Sequence, residues 1–205
     1  DYNIGWKSGW STRSLLNTEL LENIKQSILK YSKLYNHIYI FLSFGCTDIE
    51  WNLGYKRIKD PHIDTNNFLN EMIDAFSGLM KLLLVYDFVT VIPVFAYFPL
   101  PLKNDYLKRY NPKHNLSIYY DIPSLEERTE LWQIFKTNIN NNYNTIDLDK
   151  YYKEKGLEYF VRNYEDHHPD FIKLQYFLCK ELEQFNFYIT PKITEHYHHV
   201  RRIRK

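Results

Sequence analysis

The sequence predicts an α/β protein in which a parallel sheet is layered between helices, a three-layer α/β/α arrangement. Three observations lead there. Short continuous apolar runs such as IYIFLSF and FVTVIPVF have the length and the branched, aromatic make-up of buried parallel strands. Stretches with apolar residues at helical spacing lie between those runs, as βαβ units require. The 205 residues suffice for one domain, which at this size buries about 70% of the surface of its unfolded chain.

The first predicted element is a helix from Ser11, with Leu15, Leu16, Leu20, Ile24, Ile28 and Leu34 at helical spacing and Ser11 or Thr12 as its N-cap. Ile38 to Phe44 is the first strand, and Gly45 ends it. A second helix starts near Thr65 and carries Phe68, Leu69, Met72, Ile73, Phe76, Leu79 and Leu83 on one side. The strand Phe88 to Phe95 follows, and its Pro93 predicts an end or a bulge at that point. Pro99, Pro101, Pro112 and Pro123 mark a long loop. Ser124 and Glu127 then form a capping box for a helix through Leu131, Trp132, Phe135 and Ile139. TIDL, Thr145 to Leu148, is a short strand, and Phe171, Leu174, Leu178 and Leu182 mark the last helix. Residues 1–190 are thus expected to form a single α/β domain, and 191–205 a basic, His-rich, solvated tail.

Composition excludes several classes. With 26 Lys and Arg against 25 Asp and Glu, no broad field draws nucleic acid or an anionic membrane. The basic tail HHVRRIRK is the one feature that could meet phosphate, and a solvated terminus is its plainer reading, so nucleic acid is not an expected partner. The longest apolar run, Ile38 to Gly45, is too short to span a bilayer. The 19 tyrosines and 13 phenylalanines accompany many Asn, Lys and Ile, a bias that AT-rich codon usage explains without reference to function. Cys46 and Cys179 make neither a disulfide framework nor a paired zinc pattern. With no secretory signal in view, a reducing, cytoplasmic or otherwise intracellular setting is expected. The chain begins at Asp1 rather than at an initiator methionine, which reads as a piece of a longer polypeptide.

Ligands bind such sheets at the carboxyl ends of the strands. Two segments fall there: Gly45-Cys46-Thr47-Asp48 after the first strand, and the octet NYEDHHPD, Asn163 to Asp170, before the last helix. As a metal site the octet is poor. Adjacent His167 and His168 point apart on an extended chain, and nothing fixes His196, His198 or His199 near them, so no metal is expected. Pro169 and Asp170 suit the opening turn of a helix, which accounts for part of the octet. The two histidines and the two acids before them fit a hydrolase: His168 as general base, and Glu165 three residues earlier, or Asp166, as the carboxylate that orients it.

Three segments together resemble the SGNH or GDSL hydrolases. The family's second sequence block, Asn-x-Gly-x-x-Gly before a long helix, is similar to NIGWKSGW, with Asn3, Gly5 and Gly9. Its third, Gly-x-Asn-Asp at a strand end, is similar to Gly45-Cys46-Thr47-Asp48. Its last, Asp-x-x-His, is similar to Glu165-Asp166-His167-His168. The order and spacing hold from about Tyr2 to Leu182. Three departures accompany the likeness: no Gly-Asp-Ser occurs anywhere, Thr47 stands in the place of the oxyanion-hole Asn, and Glu165 in the place of Asp.

The resemblance implies a flavodoxin-like sheet and an esterase, deacetylase or acyl transferase of Ser-His-acid chemistry. Its substrate would be a small-molecule or glycan ester, and it would need no cofactor. His168 would be base and then acid. Backbone amides of Gly5 or Gly9, with Thr47, would hold the oxyanion at the end of the strand closed by Gly45, and Asp48 would buttress that loop. The nucleophile has several candidates: a serine on a first strand upstream of this chain, Ser8 or Ser11 in the glycine-containing loop, or Cys46. The rival expectation is an inactive SGNH-like domain that binds carbohydrate or serves in assembly, with Trp6, Trp10, Trp51 and Tyr55 stacking on sugar rings.

Overall fold

A computed structural model describes residues 11–101, 123–162 and 168–189. Three parallel strands carry the fold, in the order β1 (Ile38–Leu42), β2 (Val89–Phe95) and β3 (Ile146–Asp147). β1 pairs with β2 from Ile38 opposite Val89 to Leu42 opposite Pro93, and β2 pairs with β3 through Val94–Ile146 and Phe95–Asp147. This is the α/β class predicted, with a parallel sheet. Pro93 does not end β2, contrary to the prediction, because the strand runs on to Phe95. The proline lies where β2 exchanges one partner for the other, so its missing N–H falls at the changeover and not inside a continuous ladder.

The helix expected from Ser11 is broken in two. Thr12–Leu16 is a 3₁₀ turn, capped by Ser11 Oγ, which accepts from Ser14 N at 3.1 Å. Asn17 is then extended, and its Oδ1 accepts from Glu19 N and Leu20 N at 2.9 and 3.2 Å, starting α1 (Thr18–Ser32) afresh. Apolar periodicity runs straight across this break, so only the asparagine's local bonding reveals it.

After β1, a π-helical turn, Asp48–Asn52, leads directly into α2 (Leu53–Lys59), and neither element was predicted. α3 (Thr65–Leu83) begins where expected, capped by Asp64, and buries Phe68, Met72, Phe76, Leu79 and Leu83 along one stripe. α4 (Leu125–Asn140) starts at Ser124, whose Oγ accepts from Glu127 N at 3.1 Å. The other half of the capping box does not form: the Glu127 carboxylate instead takes both terminal nitrogens of Arg57 on α2. A bidentate charge-assisted pair outweighs one bond to a cap amide.

Two short helices, α5 (Asp149–Lys155) and α6 (Leu157–Phe160), follow β3 on either side of Gly156, which has φ 81°. α7 (Phe171–Leu182) closes the described fold and is capped by Asp170, whose Oδ1 accepts from Ile172 N at 3.0 Å. Pro169 therefore lies one residue ahead of the cap and not in the first turn; it forms an antiparallel bridge with Val161. A bond from Tyr151 Oη to Glu181 Oε1 at 2.5 Å fastens α5 to α7, and Lys150 Nζ reaches the same oxygen at 2.7 Å. One apolar cluster joins the inner faces of strands and helices, with Trp132, Phe76, Phe95, Phe135 and Phe160 among its largest members.

Candidate functional site

The carboxyl end of β1 turns at Gly45, which has φ 103°, a conformation that L side chains rarely adopt. A Cβ there would stand 2.7 Å from Phe135 Cε1 and 3.2 Å from Trp132 Cζ3. Glycine is thus required twice over, by the backbone and by the packing of α4 against the turn. Cys46 and Thr47 follow, both partly buried, and Asp48 opens the π-helical turn.

Asp48 is fully buried and ties two distant segments together. Its Oδ2 accepts from Thr12 N at 2.6 Å, and its Oδ1 accepts from Asn52 Nδ2 at 3.2 Å. The first turn of the described chain is thereby fixed to the end of β1. Burial holds the Asp48 carboxyl above the usual carboxylate range, against the opposing pull of the Thr12 amide.

Two residues further on, Glu50 is as deeply buried and meets Arg128 on α4, with Nη1 donating to Oε1 at 3.1 Å. Arg128 also donates to two main-chain oxygens. Nε donates to Pro123 O and Nη2 to Leu100 O, both at 3.1 Å, so one guanidinium binds the stretch beyond β2, the start of α4 and the turn after β1. Glu50 Oε2 is buried and has no hydrogen-bond partner among the described residues. Burial raises the Glu50 carboxyl, opposed first by Arg128 and then by Cys46 and His168. The Cys46 thiol is pushed well up by burial and by the Glu50 carboxylate beside it. A thiol held in its protonated form is a poor nucleophile, which weighs against Cys46 in that role.

His168 approaches the same place from the other end of the chain. Its position is fixed by its neighbours: Pro169 bridges Val161, and Asp170 N donates to Phe160 O at 2.7 Å. Phe160 is fully buried against Tyr152, ring centroids 4.1 Å apart, and Tyr152 Oη donates to Ala96 O just beyond β2 at 3.1 Å. The imidazole is partly buried, its ring centroid 6.0 Å from that of Phe171. Burial and then the nearby Cys46 raise the Tyr152 phenol, so it stays protonated.

A second polar cluster stands at the end of β3. Lys136 on α4, itself buried, pairs with Asp147 at 3.0 Å and with Asp149, which also accepts from Gln133 Nε2 at 2.5 Å. It closes α4 onto the strand end.

Of the residues predicted for the site, Gly45, Thr47, Asp48 and His168 lie in the described structure; Gly5, Ser8, Gly9, Glu165 and Asp166 lie outside it, as do Asn3, His167, Trp6, Trp10 and the basic tail. Within the described part, the turn after β1, the segment entered at Thr12 and the approach to α7 converge. Ser11 Oγ is already engaged as a cap, and Trp51 and Tyr55 follow on the π-helical turn and α2. Glu50 and Arg128 were not foreseen. Arg128 had one sequence signal: it falls on the apolar stripe of Leu131, Trp132, Phe135 and Ile139, where an unpaired charge does not belong. Among the described residues no group of three or more His, Cys, Asp or Glu is arranged to hold a metal ion, and no helix is long and apolar enough to cross a membrane. The chain matches no protein-family model, no curated protein and no solved structure.

Proposed function

We propose that the chain is an SGNH-like ester hydrolase or acyl transferase acting on an acylated, glycan-type or small-molecule substrate by serine–histidine–acid chemistry. The observation that carries this reading is the meeting of three distant segments beyond the carboxyl ends of β1 and β2. Asp48 bonds Thr12 at the end of β1, and the approach to α7 is tied through Phe160 and Tyr152 to Ala96 just beyond β2. That is where a parallel α/β sheet takes its ligands. The family's three-layer, flavodoxin-like sheet would place its oxyanion hole and its base at these points.

In this reading His168 removes the proton of a serine, which attacks the ester carbonyl, and then returns it to the leaving alcohol. Glu165 or Asp166 orients the ring. Thr47, with the amides of Gly5 or Gly9, holds the oxyanion, and Asp48 fixes the loop. The serine is Ser8, in the glycine-containing loop. Loss of a single oxyanion donor costs about 100- to 1,000-fold in rate, so a hydroxyl in the asparagine position predicts a slow enzyme. His168→Ala is expected to abolish hydrolysis of acetyl esters while leaving the denaturation midpoint nearly unchanged. Equal loss of activity and fold would assign His168 a structural role instead.

The second reading is an inactive SGNH-like domain that binds carbohydrate. Trp51 on the π-helical turn and Tyr55 on α2 lie beside the same strand end, and they favour it. It predicts sugar binding that His168→Ala leaves untouched.

A further inference from the structure

The two segments that Asp48 ties together at the end of β1 each carry a cation, and both cations meet one ring. Arg13 follows Thr12, whose N–H donates to Asp48 Oδ2 at 2.6 Å. Lys56 lies on α2, which continues the π-helical turn that Asp48 opens. In the first turn of α3, the buried Phe68 has Arg13 Cζ 5.3 Å and Lys56 Nζ 5.7 Å from its ring centroid. Arg13 Nε also meets Glu71 Oε2 at 2.8 Å, on a side chain that is half exposed. Lys56 Nζ has no ion-pair or hydrogen-bond partner among the described residues. The neighbouring cations of α2 are differently placed: Arg57 grips Glu127, and Lys59 lies 4.4 Å from the Tyr55 ring centroid.

An aromatic face attracts a cation, but two cations drawn to one ring also repel each other. Glu71 offsets one of the two charges. Asp48 directs its oxygens to Thr12 and Asn52, and burial holds its carboxyl above the usual range, so it offsets less than a full charge. A net positive charge therefore remains beside the strand end where a parallel α/β sheet takes its ligands. We propose that Arg13 and Lys56 form an anion-binding subsite there, which receives a carboxylate or phosphate group of the substrate. Arg13 supplies a planar fork of donors, and Lys56 a point charge on a flexible stem. Burial and then the charge of Arg13 hold the Lys56 amine below the ordinary lysine range, a penalty that a bound anion relieves. The inference deepens the proposed function by naming an acidic substrate, and rests on that reading only for the place where the substrate enters.

The test is titration of the full chain with inorganic phosphate and, separately, with acetate, followed by NMR in the absence of any ester. At least one of the two anions is expected to bind saturably, with shifts centred on Arg13, Lys56 and Phe68. Tighter binding of phosphate assigns a phosphoryl group to the subsite, and tighter binding of acetate a carboxylate. Lys56→Gln is expected to weaken the binding about tenfold, the loss of one charge-assisted contact, and Lys56→Arg to restore most of it. Arg13→Gln leaves Glu71 without its partner, so the Arg13→Gln/Glu71→Gln variant, which removes the pair together, is measured as well and is expected to bind more weakly than wild type. Lys30→Gln on α1 is the control, with binding unchanged. Binding of neither anion overturns the subsite, and so does equal weakening by Lys30→Gln and Lys56→Gln. Labelling by a serine-directed probe reports on the hydrolase reading independently: an anion held at Arg13 and Lys56 without labelling would refute the enzyme and keep the subsite, whereas labelling with no anion bound would do the reverse.

Discussion

Gly45 and Arg128 show how single residues shape the end of β1. A methyl group at position 45 would meet two aromatic rings on α4 at less than contact distance, in a backbone conformation with φ 103°. Strain of that kind costs about 1–3 kcal/mol, and overpacking of a tight core about as much again. Gly45→Ala is therefore expected to destabilise the protein by about 2–5 kcal/mol in urea denaturation; a loss below about 0.5 kcal/mol would contradict this account of the turn. Gly45 was legible as a strand end because glycine follows an apolar run. The aromatic floor beneath it was not, since Trp132 and Phe135 lie almost ninety positions away along the chain. Glu50 was illegible for a similar reason. It reads as one more charge near a turn until α4 brings Arg128 to it.

At the scale of elements, side-chain caps define the boundaries. Asp64, Ser124 and Asp170 each accept a main-chain N–H at the start of α3, α4 and α7. Asp170 also governs the site, because it holds the first turn of α7 next to His168. Asp170→Ala is expected to cost about 1 kcal/mol and to increase amide hydrogen exchange in the first turn of α7. Unchanged exchange at Ile172 and Lys173 would contradict the cap. The long helices and both principal strands followed from periodicity and apolar runs, which report on burial. Asn17 broke a helix that periodicity continued, because a cap is a local contest between side chain and backbone. The π-helical turn and α2 escaped notice since Asp48, Glu50, Lys56 and Lys59 give that stretch no clean apolar face. The half-formed box at Ser124 shows the same limit: Glu127 suited the cap in sequence, and Arg57 claimed it in space.

Across the whole molecule, charge has been placed inside the fold at the strand ends, and this sets the pH dependence of stability. Burial holds Asp48, Glu50 and Asp149 above the ordinary carboxylate range. Glu181 lies below it, because bonds from Lys150 and Tyr151 outweigh its burial. A carboxyl raised in the native state keeps its proton at a pH where the unfolded chain has lost it. The native state then binds more protons, and stability falls as the pH rises through that window. Three groups act in this sense, while Glu181 and the exposed Glu154, lowered by its bond with Lys155, act in the opposite one. Stability is therefore expected to decline as the pH rises from about 4, the unfolded carboxyl value, toward the raised native values. Denaturation series with Asp48→Asn check it: the slope should flatten, and an unaltered slope would exclude Asp48 as a source. The functional account depends on the strand ends, where Asp48 ties the segment at Thr12 to the turn after β1 and Tyr152 ties the approach to α7 to Ala96. Its most direct test is reaction of the folded protein with a fluorophosphonate, followed by peptide mass spectrometry, with His168→Ala as control. The account predicts an adduct on one serine that disappears in His168→Ala. No adduct on the folded protein, or one indifferent to His168, would contradict it.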